Sequence, residues 1–126
     1  MGMEDRGDRF AEATMEVRHR GYDLLQQYDP EYFEAFKRLY ADATFSREDG
    51  ALSRKTQELI MVAVCTATGR HLGTRVHTKR ALLAGAAPRE ILATLQTTAI
   101  PCGMPVLWAG LEALADELKA AGRVFE

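Results

Sequence analysis

The segment from residue 54 to residue 68 constrains the fold of this chain more than any other part of it. Helical spacing predicts a helix from Arg54 to Thr68, and the residues from Leu59 to Cys65 are apolar nearly all the way round it. A helix that is apolar on every side is normally buried on every side. Because a domain of 126 residues rarely encloses a helix completely by itself, we expect part of this helix to lie in an interface between copies of the chain.

The remaining segments also show helical spacing, and the sequence contains no sustained alternation of period two, which predicts an all-α fold of about six helices. We expect one long first helix from Asp8 to Gln27, with Gly21 as the point where it kinks or splits. Asp29 followed by Pro30 is typical of a helix start, and Ser53 is a second N-cap. Later helices are expected over residues 72–84, 88–98 and 105–121, with stops at Gly69 and Gly85 and a break from Pro101 to Pro105.

Length and composition are those of an ordinary globular protein, and 126 residues predict a single domain, residues 1–126. The net charge of -2 provides no field that would attract nucleic acid or an anionic membrane. No apolar run approaches the length of a membrane span, and the polar start of the chain lacks the apolar stretch of a signal peptide. Two cysteines without close spacing do not form a disulfide framework. We therefore expect a cytoplasmic protein that binds neither nucleic acid nor membrane.

Glu58 is the first candidate for chemistry, because it lies about one turn after the start of the apolar helix. The N-terminal end of a helix favours a carboxylate, and a carboxylate buried without a partner is unfavourable or becomes protonated. Two interpretations follow. Glu58 is either a buried acid that handles protons or a surface residue paired with Arg54 four positions earlier, exposure being the ordinary state of a charged side chain.

His77 is the second candidate, since imidazole is the usual proton carrier near neutral pH. Gly73, Ala81 and Ala84 stand at helical spacing from it. This stripe of small residues either leaves room beside the ring or lets another backbone approach closely, and both situations are compatible with a small pocket. The alternative is a histidine of the core or of an interface, held by one hydrogen bond.

Cationic residues crowd the turn before His77, where Arg70 and Arg75 flank the start of its helix. Guanidinium groups recognise carboxylates through two parallel hydrogen bonds, so these two residues are candidates for holding a substrate acid. The alternative is a solvated cationic face shared with Lys79 and Arg80.

The cysteines and the other histidines suggest no further site. Cys65 and Cys102 lie outside any Cys-x-x-Cys unit, and we expect both to be buried, inert thiols. His19, His71 and His77 show no spacing with cysteines or acids that would complete a tetrahedral set of ligands. We therefore expect no metal and no cofactor.

From about Ala51 to Leu118 the sequence resembles the carboxymuconolactone decarboxylase and AhpD-like alkylhydroperoxidase superfamily. The resemblance implies an all-helical AhpD-like bundle that assembles as a homo-oligomer, a trimer or a hexamer. It is carried by short segments in a particular order: the run from Leu52 to Ile60, then His77 followed by Ala81 and Gly85, then Glu90-Ile91, and finally the turn Gly103-Met104-Pro105.

In the peroxidase branch of this superfamily, two cysteines precede the histidine by seven and four positions, and here those positions hold Arg70 and Gly73. The thiol chemistry needs both an attacking and a resolving cysteine. Glu58 and His77 match the proton-relay acid and histidine of that branch. The decarboxylase branch instead has a turn rich in Arg and Glu before the histidine. Arg70 and Arg75 are similar to that pattern, although Gly73 stands where an acid is common.

The resemblance thus implies a cofactor-free, decarboxylase-like enzyme that acts on a small carboxylated lactone or a related acid. His77 would be the general acid and base, Glu58 its orienting partner, and Arg70 or Arg75 would bind a carboxylate or the developing oxyanion. A second hypothesis is a non-catalytic, oligomeric binding protein for small molecules with the same fold. A third is residual thiol peroxidase activity through either cysteine.

Overall fold

The computed structural model describes the backbone of residues 3–125 and the side chains of residues 9–125. Within these residues the chain is all-α and contains no strand, which confirms the predicted fold class, and no helix is long and apolar enough to cross a membrane. The chain divides into two compact units, Met1–Leu52 and Ser53–Glu126. The helices are α1 (Met3–Thr14), α2 (Arg20–Tyr28), α3 (Pro30–Lys37), a π-helix (Arg38–Phe45), α4 (Arg54–Ala67), α5 (His71–Leu83), α6 (Pro88–Cys102) and α7 (Met104–Ala120).

The first unit packs α1, α2, α3 and the π-helix around an aromatic core. Phe10 is its centre, and the rings of Tyr22 and Phe33 meet it edge-on, with centroids 5.3 and 5.6 Å away. Edge-to-face contact is a favoured geometry for aromatic rings because their faces and edges carry opposite partial charge. This unit therefore has a core of its own.

The single first helix expected from Asp8 to Gln27 is wrong, because α1 ends at Thr14 and α2 begins at Arg20. Met15 and Glu16 have φ angles of 53° and 60°, values that end a right-handed helix. Gly21, the predicted breaking point, lies inside the first turn of α2.

The start of α3 confirms the predicted N-cap. The Asp29 carboxylate accepts a hydrogen bond from the backbone N–H of Tyr32 at 3.0 Å, and Pro30 occupies the first helical position. The helix then continues directly into the π-helix from Arg38 to Phe45, which the sequence pattern does not predict. Apolar spacing over two turns does not distinguish a π-helix from an α-helix.

The second unit is a bundle of α4, α5, α6 and α7, and it contains the candidate site. A turn of three residues joins α4 to α5, so the two helices run antiparallel and side by side. On α7, Gly110 lets the helix approach α6 closely, since a Cβ there would overlap the side chain of Leu95. The apolar core of this unit consists of Val62, Ala81, Ala86, Ile91, Leu95, Ala99, Leu107, Leu114 and Leu118.

The helix limits in this unit follow local signals in most places. The Ser53 hydroxyl caps α4 by accepting a hydrogen bond from the backbone N–H of Thr56 at 3.1 Å. Gly69 and Gly85, with φ angles of 71° and 95°, follow the ends of α4 and α5 as predicted.

The predicted end of α6 near Thr98 is wrong, because the helix continues through Pro101 to Cys102 and ends before Gly103, which has a φ angle of 95°. A proline removes the hydrogen bond to the carbonyl group four residues earlier. Here that carbonyl belongs to Thr97, an exposed residue in the last turns of the helix, so water can satisfy it.

The single chain does not enclose α4 on every side. Ile60 and Val64 are about half exposed on its outer face, and the large apolar side chains of Ile100 and Trp108 are also exposed in this unit. Where exposed apolar side chains form a contiguous patch, they mark a surface that binds a partner. The expectation that a second copy of the chain covers this face remains a prediction.

We predict that Ser53→Ala lowers the free energy of unfolding by about 1 kcal/mol, because it leaves an N–H group at the start of α4 without its acceptor. Urea denaturation followed by circular dichroism measures this change. Ser53→Asp keeps a capping acceptor and should retain most of the stability. Equal losses in both variants would contradict a capping role.

Candidate functional site

Glu58 lies in the second turn of α4, and its side chain is completely buried. Its Oε1 atom is 2.6 Å from Nδ1 of His77, and its Oε2 atom is 2.9 Å from Nε of Arg54. Burial of a carboxylate is unfavourable unless charged or hydrogen-bonding partners replace the lost water. Here each oxygen has such a partner. The interpretation of Glu58 as a surface residue is therefore wrong, whereas its pairing with Arg54 is confirmed.

Two local features of the sequence bring Arg54, Glu58 and His77 together. Arg54 and Glu58 are four residues apart on α4, so their side chains lie on the same side of the helix. The short turn after α4 reverses the chain, and α5 then carries His77 back alongside Glu58. The structure thus joins two predicted site residues that are 19 positions apart.

The hydrogen bond to Glu58 determines which nitrogen of His77 is available for chemistry. A carboxylate only accepts hydrogen bonds, so the shared proton belongs to Nδ1. In the neutral ring, Nε2 is then the nitrogen that can accept a proton. The His77 side chain retains 8% exposure. An imidazole held by a carboxylate at one nitrogen, with the other nitrogen reactive, is the arrangement of an oriented general base.

The small residue at Gly73 permits close packing between α4 and α5. A Cβ atom at position 73 would lie 2.7 Å from Sγ of Cys65, so the Cys65 thiol fills the space that a side chain there would need. Beside this contact, the buried hydroxyl groups of Thr66 and Thr74 lie 3.2 Å apart, which adds a polar link between α4 and α5.

The two cysteines have different environments. Cys65 is buried, as expected, and burial raises the pKa of its thiol. The nearby Glu58 also raises that pKa, and Arg70 opposes both effects. Cys102 is exposed, so the expectation of a buried thiol is wrong there. Cys102 lies three residues after the buried Ala99, so helical spacing places both on one side of α6. Cys102 is nevertheless exposed, because it is the last residue of α6 and lies beyond the packed core.

The predicted binding residues Arg70 and Arg75 occupy different sides of α5. Arg70 is the exposed N-cap residue, and it precedes His77 by seven positions, which corresponds to two turns and about 10 Å along the same side. Arg75 lies only two positions before His77 and therefore points to another side. Its guanidinium is 3.8 Å from the carboxylate of Asp116 on α7.

A groove of about 470 Å³ lies between α5 and α7, on the side of α5 that carries Arg75. His71, Glu112 and Asp116 line it together with apolar residues of α7, and neither Glu58 nor His77 belongs to its lining. In this lining two acids, Glu112 and Asp116, accompany Arg75. The charges of the groove therefore do not favour a carboxylate ligand beside Arg75.

The alternative of one solvated cationic face on α5 is wrong for Arg80. Lys79 is exposed, but Arg80 is only 1% exposed. Arg80 follows His77 by three residues and precedes the buried Ala81, so helical spacing places it on the inward side. Among the residues whose positions are described, no group of three or more His, Cys, Asp or Glu side chains is arranged to bind a metal ion.

Comparison with known proteins agrees with this architecture. The pattern of the carboxymuconolactone decarboxylase family matches residues 30–116, more than half of the chain, and the protein belongs to that family. A solved structure of a candidate carboxymuconolactone decarboxylase from Burkholderia xenovorans LB400 is 23% identical in sequence. The alignment covers 90% of this chain and 91% of that one, with a TM-score of 0.72, which shows a shared fold. No curated protein matches the sequence.

We predict that alkylating reagents modify Cys102 quickly and Cys65 slowly at neutral pH. The raised pKa of Cys65 reduces its thiolate fraction, and its burial limits access. Mass spectrometry of the intact protein after treatment with iodoacetamide measures both rates. In Cys102→Ser the fast reaction should disappear, and a fast reaction that persists in this variant would contradict the prediction.

Proposed function

We propose that this protein is a cofactor-free decarboxylase of small carboxylated lactones or related acids, with His77 as the residue that carries the proton. The observation that supports the proposal most directly is the buried hydrogen bond between Glu58 and His77. A histidine oriented in this way can transfer protons without a redox partner. Membership of the carboxymuconolactone decarboxylase family supports the substrate class.

The proposed reaction needs one proton for each turnover. Cleavage of the bond to the carboxylate carbon releases carbon dioxide and leaves the electron pair on the substrate as an enolate. His77 in its imidazolium form donates the proton at Nε2 to the enolate carbon, and it regains a proton from water. Glu58 holds Nδ1 throughout and stabilises the imidazolium.

Arg70 is the arginine that we assign to substrate binding, since it lies on the same side of α5 as His77. A cation held against the departing carboxylate would oppose its loss. We therefore place Arg70 at the enolate oxygen or at a second acid group of the substrate. Arg75 fits this role less well, because Asp116 is near its guanidinium. We further propose that the protein forms a homo-oligomer, a trimer or a hexamer. We also propose that it acts in the reducing cytoplasm.

The thiol peroxidase hypothesis has less support. Burial raises the pKa of Cys65, and the positions of the paired cysteines hold Arg70 and Gly73. A non-catalytic binding protein remains the alternative, and activity measurements distinguish it.

We expect the purified protein to convert 4-carboxymuconolactone, followed by ultraviolet absorbance, and we expect His77→Ala to lose about 10²-fold or more in kcat/KM. Lys79→Ala is the matched control, because Lys79 lies two residues further along α5 and is exposed. It should keep the rate of the natural sequence. Equal turnover in His77→Ala would contradict the assignment of His77. Binding of the lactone without turnover would favour the non-catalytic alternative.

A further inference from the structure

The geometry points to Arg54 as a positioning residue that sets the protonation state of His77 through Glu58. This inference rests on the function proposed above, because it concerns the same proton carrier. Glu58 is the residue that links Arg54 to His77. The Nε atom of Arg54 donates to Oε2 of Glu58, and the other carboxylate oxygen serves His77.

The first effect of Arg54 is orientation. A carboxylate with one hydrogen-bond partner can turn about its last single bond, and it can offer either oxygen to that partner. The 2.9 Å hydrogen bond from Arg54 occupies Oε2, so Oε1 is directed towards Nδ1 of His77. Since the Arg54 side chain is only 19% exposed, solvent screens this interaction little.

The second effect is electrostatic. Glu58 is completely buried, so its negative charge stabilises any positive charge beside it, including a proton on His77. Arg54 supplies a permanent positive charge on the opposite side of the same carboxylate. It therefore reduces the preference of the pair for an extra proton. A proton carrier works best when it both binds and releases its proton near the working pH.

Other ionisable groups of α4 and α5 also lie near the pair, and Arg70 precedes His77 by two turns on the same side of α5. On α5 itself the buried guanidinium of Arg80 lies one turn beyond His77, and on α4 the Cys65 thiol lies two turns beyond Glu58. The buried side chains of α6 and α7, among the described residues of the unit, are all apolar or lack a titratable group. Substitution at Arg54 therefore removes the positive charge that is hydrogen-bonded to Glu58 at 2.9 Å.

The test follows the titration of His77 by long-range ¹H–¹⁵N NMR of the imidazole nitrogens, with His77→Gln to assign its signals among the three histidines. In Arg54→Gln we expect His77 to take up its proton at a pH about one unit higher than in the natural protein. In Glu58→Gln we expect the shift in the opposite direction, since the carboxylate charge is lost. Arg54→Lys should restore most of the natural behaviour, because it retains the positive charge.

Lys55→Gln is the matched control. It removes a positive charge from the next position on α4, where Lys55 pairs with Glu90 at 3.0 Å, and it should leave the titration of His77 unchanged. If Arg54 had only a structural role, Arg54→Gln would lower the stability of the protein. The titration of His77 would then not shift in opposite directions in Arg54→Gln and Glu58→Gln. An unchanged titration in Arg54→Gln, or a shift in the same direction as Glu58→Gln, would overturn the inference.

If Arg54→Gln does not fold, a double variant tests the inference instead. If the cause is an uncompensated carboxylate, the double variant Arg54→Gln/Glu58→Gln should fold and titrate close to Glu58→Gln alone. A double variant that remains unfolded would overturn the inference.

Kinetics separate this inference from the proposed function. If the protein is a decarboxylase, the pH profile of kcat/KM should move in Arg54→Gln in the same direction as the NMR titration. Opposite NMR shifts without turnover in any variant would reject the decarboxylase and retain Arg54 as the residue that sets the charge of the pair. Turnover with an unmoved pH profile and titration in Arg54→Gln would retain the function and reject the role of Arg54.

Discussion

The hydrogen bond between Glu58 and His77 is the interaction on which the rest of the candidate site depends. A fully buried carboxylate is tolerated only with partners, and Arg54 and His77 provide them at 2.9 and 2.6 Å. The bond to His77 also restricts the packing of α4 and α5, since a slip of either helix would separate Glu58 from His77. The same contacts that make burial of the charge possible therefore place Nε2 of the imidazole for proton transfer.

The packing around Gly73 leaves no room for a second thiol beside Cys65. A second cysteine at position 73 would require the volume that the Cys65 thiol now occupies. Cys65 is buried, and its pKa is raised, so it has little of the thiolate character that redox chemistry needs. Beside this thiol, an acid, an imidazole and hydroxyl groups lie between the two helices. This set suits proton transfer and supports the decarboxylase proposal over the peroxidase alternative.

The outer face of α4 gives a physical reason to expect assembly. Ile60 and Val64 are exposed on the helix whose inner side carries Glu58. A cover over this face would shield the apolar surface and reduce the access of water to the neighbouring core. The candidate site therefore depends on α4 in two ways. The helix carries the acid, and it carries the face that we expect to bind a second copy of the chain.

Much of the fold could be predicted from local signals in the sequence. Asp29 and Ser53 mark helix starts because their side chains accept hydrogen bonds from residues three positions later, and Gly69 and Gly85 mark helix ends because they adopt positive φ angles. Such signals act within one turn and are therefore visible in the sequence. The break at Met15 has no such signal, since neither it nor Glu16 is a residue type that favours a positive φ angle.

The sequence by itself determined the helical class, the family and the types of residue that the candidate site contains. Only the tertiary structure decided that Glu58 is buried, that it contacts His77, and that Arg70 and Arg75 lie on different sides of α5. It also decided that Arg80 is inside and Cys102 outside. The reason is that spacing along a helix shows which residues share a side, whereas burial and contact depend on the helices that pack against that side.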